Sequence, residues 1–68
     1  MKKYGVIETK GDESRVLEVC ETREAALRAK RLLKEKCSGQ DVQLDAIYGD
    51  FDENGRLTMN RYRLLYEL

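Results

Sequence analysis

Asp50-Phe51-Asp52-Glu53-Asn54-Gly55 is the one string in this chain that is similar to a ligand site. Oxygen-bearing side chains at alternate positions, followed by a glycine, form the first half of a calcium loop. There they converge on one cation around a sharp turn. The motif then needs a bidentate glutamate six residues after the glycine. That position holds Arg61, whose charge repels a metal. The flanking segments read as strands, whereas a loop of this kind lies between helices. Turn chemistry alone accounts for the same residues as a polar hairpin tip. Weak calcium occupancy is the most the string allows.

Other chemistry fails sooner. The chain has no histidine, and so lacks the commonest general base and metal ligand. Ser14 and Ser38 therefore have no base of the hydrolase type. Cys20 and Cys37 lack metal-ligand spacing and fit best as small core residues. Cys37 falls at a helix C-terminus, where the dipole disfavours a thiolate. The five glycines are scattered, so no phosphate loop is present. These residues imply neither catalysis, cofactor nor small-molecule site.

Charge offers a different lead. The total is zero, from 13 basic and 13 acidic residues, but it is unevenly placed. Residues 22–40 carry six basic and two acidic side chains, a net +4. The segments before and after stand at −1 (four basic, five acidic) and −3 (three basic, six acidic). A neutral total argues against binding nucleic acid by bulk charge. A local surface of Arg23, Arg28, Lys30, Arg31 and Lys34 on one helix nevertheless makes nucleic acid the alternative partner. Against it, the expected geometry turns Tyr62 and Tyr66 towards the helix. It also puts Arg61 and Arg63 on the opposite side of the molecule from the basic helix.

The elements that position these groups follow from periodicity. Tyr4 to Thr9 and Val16 to Cys20 are short β-branched-rich runs around the polar Lys10-Gly11-Asp12-Glu13-Ser14, a first hairpin. Its register is open. A four-residue loop groups Tyr4 and Val6 with Leu17 and Val19; a three-residue loop groups them with Val16 and Cys20. Thr22 caps a helix over 23–37, which contains no glycine, proline or β-branched residue, and Gly39 stops it. Leu32, Ala25, Ala29, Leu33, Ala26 and Cys37 share its apolar face. Leu27 projects away from that face, as a stray exposed leucine or a contact point.

Val42 to Leu68 reads as a second hairpin with its tip at Asp52-Glu53-Asn54-Gly55. A type I turn with Gly55 left-handed groups Val42, Leu44, Ala46, Tyr48, Tyr62, Leu64 and Tyr66 on the helix-facing side. Asp45 then faces Arg63 as a cross-strand ion pair. The fold class is α+β, in the order β-β-α-β-β. One domain, 1–68, has a four-stranded antiparallel sheet with one helix on one face and the strand order open.

In that register the helix-free face carries Ile47, Phe51, Leu57, Met59, Arg61, Arg63 and Leu65, more apolar surface than one helix can cover. A chain of this size buries roughly 60% of its unfolded surface, so its core is small. The expectation is a non-catalytic interaction module. It uses this face or a strand edge to bind a second copy as a homodimer, or another protein.

Val16 to Cys20, Thr22-Arg23-Glu24-Ala25-Ala26 and Val42-Gln43-Leu44 are together similar to the small peptidoglycan-binding domains of the sporulation-related repeat family. That family has a second helix where this sequence has a hairpin tip, so no residue roles carry over. No run approaches the ~20 apolar residues of a membrane helix, and no charged-then-apolar leader is seen. The expected setting is cytoplasmic, without a membrane, and with both thiols reduced.

Overall fold

The computed structural model describes residues 1–36 and 42–66, the side chains of Met59 and Asn60 excepted. The order is β1 (Lys2–Lys10), β2 (Glu13–Cys20), α1 (Arg23–Lys36), β3 (Gln43–Phe51) and β4 (Leu57–Leu64). The sheet is antiparallel in the order β2-β1-β3-β4, so the two hairpins join through their first strands. This is the expected α+β architecture, with α1 on one face.

Local chemistry sets the ends of the elements. The Thr22 hydroxyl accepts the Ala25 N–H at 3.1 Å, and the Thr22 carbonyl accepts the Ala26 N–H at 3.2 Å. Such a cap is worth about 1 kcal/mol. The tip of the second hairpin forms as expected. The Gly55 N–H donates to the Asp52 carbonyl at 3.1 Å, and Gly55 has φ +78°. The first hairpin closes more tightly than either expected loop. Lys10 pairs with Glu13 across Gly11-Asp12, and Gly11 has φ +63°. A positive-φ glycine at the first of two central positions matches a type II′ turn.

Both outer strands carry an irregularity, and these decide the faces. In β2 the register shifts between Val6 and Ile7, leaving Leu17 as an extra residue. Cys20 thereby joins Tyr4 on the helix side, while Val16 and Val19 face away. Neither expected register holds along the whole hairpin; each fits half of it. In β4, Phe51 pairs with Leu57 as the turn requires, but Gly49 pairs with Tyr62. Asp50 alone thus spans four residues, 58–61. The excess is odd, so every later side chain changes face.

Two cores result. On the helix side Val6, Cys20, Ala26, Leu27, Ala29 and Ala46 are buried, with Tyr4, Leu33 and Leu65 against them. Tyr4 and Tyr48 stack there at 4.7 Å between ring centres. On the other face Ile7, Ile47 and Phe51 are buried, flanked by Val16, Val19 and Leu57. Those flanking residues come from the two edge strands. The sheet curls until β2 and the start of β4 meet over its own concave face. A Cβ on Gly55 would lie 3.4 Å from Val19 Cγ2, which measures how near the second tip comes to β2. A Cβ on Gly49 would lie 3.1 Å from both Leu57 and Tyr62. A side chain at 49 would therefore press on both, and its absence lets β4 approach closely here.

The helix face differs from the expected arc. Leu27 is buried, Ala25 is exposed and Leu32 is 56% exposed. On 100° per residue this is a roll of roughly 70° about the axis. The roll puts Leu27 in the same cluster as Leu65, which the change of face in β4 carries to the helix side. Cys37 and Gly39 lie outside the described residues.

Candidate interaction surface

The expected interface does not survive as one surface. Ile47 is 0% exposed and Phe51 2%, because the curl encloses them. Leu57 is half-buried against the same cluster, and Leu65 packs on the helix side. Met59 lies outside the residues whose side chains are described. Arg61 and Arg63 are exposed, as expected, but Arg63 pairs with Tyr48 and so shares the helix side. Asp45 faces the concave side opposite Ile7, and the Gln43 side chain donates to it at 3.4 Å. The Asp45–Arg63 pair is therefore not formed.

The displaced residues make a different surface. Tyr62 is 40% exposed, Leu64 42% and Tyr66 70%. All three were expected beneath the helix; the odd excess in β4 turns Tyr62 and Leu64 to the other face, while Tyr66, beyond the strand, stays near α1 but exposed. Gly49 was the signal in the sequence. A glycine inside a strand often marks a bulge or a close approach, and Tyr62 sits opposite it.

β4 is an edge strand, so its outer backbone groups face no described strand. The Leu65 N–H donates inward to the Ala46 carbonyl at 2.8 Å. In an antiparallel ladder the groups alternate. Arg63 therefore also turns its N–H and C=O towards β3, and Tyr62 and Leu64 turn theirs outward.

The helix cations are split by their position around α1. Lys30, Arg31 and Lys34 line one shallow cleft together with Tyr66. Arg23 donates from Nη2 to the Tyr66 carbonyl at 2.7 Å, tying the end of β4 to the start of α1. Arg28 lies outside this arc. Four of the five named helix residues thus gather around Tyr66, on the side of the sheet that also carries Arg63. This corrects the expectation that the helix cations and the β4 arginines lie on opposite sides of the molecule.

A cleft of about 810 Å3 opens between the two hairpin tips. Ile7, Val16, Leu57 and Tyr62 supply its apolar wall, and Arg15 and Arg56 its cations. Arg15 donates from Nε to Glu8 at 3.0 Å. The calcium-like string is committed to its turn: Asp52 Oδ1 accepts the N–H groups of Asn54 and Arg56, each at 2.9 Å. Among the described residues no group of three or more acidic, cysteine or histidine side chains is placed to hold a metal ion.

Cys20 is buried and free. Burial, then the negative charges of Glu18 and Glu21, push its thiol above the ordinary 9.0. The folded state thus holds its proton longer than the unfolded chain does. The associated stability is fully present below pH 9.0 and is lost as pH rises through the higher folded value. Urea midpoints measured between neutral pH and pH ~10.5 should therefore fall more steeply for the native chain than for Cys20→Ala. Parallel curves would show a thiol that titrates alike in both states.

No helix among the described residues is long and apolar enough to cross a membrane. No family model, curated protein or solved structure matches this chain, the sporulation-related repeat domains included, so its placement rests on its own geometry.

Proposed function

We propose that this chain is a non-catalytic interaction module that engages a protein partner along the outer edge of β4. The observation that supports the reading is the pairing of outward backbone groups with exposed apolar side chains at Tyr62 and Leu64. An edge strand with unpaired N–H and C=O groups is a template for another strand. The other edge is less suited to that role. β2 carries Glu13, Arg15 and Glu18, and its extra residue Leu17 breaks the ladder. A bulge within the pairing stretch blocks strand addition, whereas the irregularity of β4 lies before Tyr62 and leaves Tyr62 to Leu65 in one register.

Selection from a random-peptide display library tests the reading. The native chain should enrich extended sequences that Tyr62→Asp/Leu64→Asp does not hold, with the fold of the variant checked by circular dichroism. Equal enrichment by both proteins would remove β4 from the reading.

A second reading, nucleic-acid binding, draws on Lys30, Arg31 and Lys34 around the exposed Tyr66. Cations beside an accessible aromatic ring suit a single strand, whose bases stack. It predicts a mobility shift with oligothymidylate that weakens steeply with salt. No shift at low salt ends it.

A further inference from the structure

Resting on the β4 reading, we infer that the strand added to this edge is an extended acidic peptide from another protein, apolar at alternate positions. Two observations converge on that chemistry. The first is the backbone. Tyr62 and Leu64 direct their N–H and C=O groups outward, as the inward Leu65 to Ala46 bond requires. They are two residues apart, so a partner strand can bond to both in register.

The second is the pattern of side chains. Tyr62 and Leu64 lie on the concave side, opposite Gly49 and Ile47. Arg63 lies on the helix side opposite Tyr48, and Arg61 lines the same surface cleft as Arg63 and Tyr48. Side chains on neighbouring strands pair within one face. An added strand therefore meets apolar neighbours on one side and arginines on the other. The cations continue on both sides of the edge, with Lys30 and Lys34 near Tyr66 and Arg56 on the cleft that Tyr62 walls. Asp50, the acid of the Arg61 and Arg63 cleft, bonds the terminal ammonium at 2.6 Å. Asp12 lines the Arg56 cleft as well, so among the described residues cations outnumber acids in each of these clefts, and an acidic strand suits the edge.

The same charges disfavour a second copy. An antiparallel β4 pair centred on Tyr62 sets Arg61 against Arg63. One centred on Arg63 sets that residue against itself. Centring on Leu64 still leaves the two Arg63 side chains diagonal, about 7–8 Å apart. Like charges so placed destabilise the pair.

The experiment is an amide-resolved NMR titration with two capped seven-residue peptides, one alternating valine and glutamate, the other valine and lysine. Oligothymidylate is the third probe. The glutamate peptide should shift the Tyr62 and Leu64 amides and bind at least about tenfold more tightly than the lysine peptide. Leu64→Pro removes an outward donor, which an edge strand tolerates, and should abolish that binding. Arg63→Glu, on an exposed position, should reverse the preference between the peptides and covers the case in which the proline variant does not fold.

Equal binding of both peptides at β4 overturns the acidic class and leaves the edge reading standing. Sedimentation as a dimer lost in Leu64→Pro, in place of the 7.9 kDa monomer, overturns the acidic partner in favour of a second copy. Oligothymidylate shifting these amides with neither peptide doing so, or no probe reaching β4, overturns both.

Discussion

Phe51→Ala is expected to cost about 3–5 kcal/mol of folding stability. Small domains have about 5–15 kcal/mol in total, so the urea midpoint should drop by about a fifth or more. The residue is 2% exposed and closes the concave core with Ile7 and Ile47. Among the described residues no helix lies on that face, and the curl is maintained by the side chains it encloses. Removing the ring leaves a cavity between the central strands and the inturned edges, where few neighbours can collapse into it. Leu64→Ala is the matched control. At 42% exposure it should cost under about 1 kcal/mol. The opposite ranking would mean that the concave face is open and that Phe51 belongs to a docking surface after all.

The contrast between Phe51 and Leu64 shows where alternation informs and where it misleads. Alternation names the residues that share a face within one unbroken ladder. At the hairpin tip it works: Asp52 and Gly55 form their turn, and Phe51 pairs with Leu57. It fails beyond Asp50, because an odd number of extra residues in β4 inverts every later position. Local propensity gives little sign of the excess, since Asn60 is the single turn-forming residue in 58–61. The other trace was Gly49, whose missing side chain leaves the space that Leu57 and Tyr62 occupy.

The helix gives the same lesson at longer range. Its start was legible, because the Thr22 cap and the uninterrupted run after it are local features. Its roll was not, because Leu27 packs in a cluster with Leu65, 38 residues away in sequence. Periodicity gave one arc, through Ala25 and Leu32, and left Leu27 outside it. The packed face instead runs through Leu27, in one cluster with Leu65. The candidate surface inherited the error. Arg61, Arg63 and the helix cations were identified by type, and what needed the coordinates was which of them share a side.

Gly5→Ala tests the curl from the opposite wall. A Cβ at Gly5 would lie 2.7 Å from the Glu18 carbonyl oxygen and 3.0 Å from Phe51 Cζ. The ring can shift by a few tenths of an ångström. The carbonyl is backbone of β2, held beside β1 by the pairing of Gly5 with Val19, and can move only if the hairpin opens. Overpacking of this kind costs about 2–3 kcal/mol, which for a domain of this size lowers the melting temperature by about 10–20 °C. Gly11→Ala separates crowding from backbone strain. Nothing lies within 4 Å of a Cβ there, and only the φ of +63° opposes it, for about 1–2 kcal/mol. Combining Gly5→Ala with Phe51→Leu relieves the contact with the ring and leaves that with the carbonyl. The double variant should therefore fall short of the sum of the two single losses while staying below the native midpoint. A Gly5→Ala protein that melts with the native chain would place β2 farther from β1 than the extra residue at Leu17 allows. The concave core would then lose the closure on which the burial of Phe51 depends.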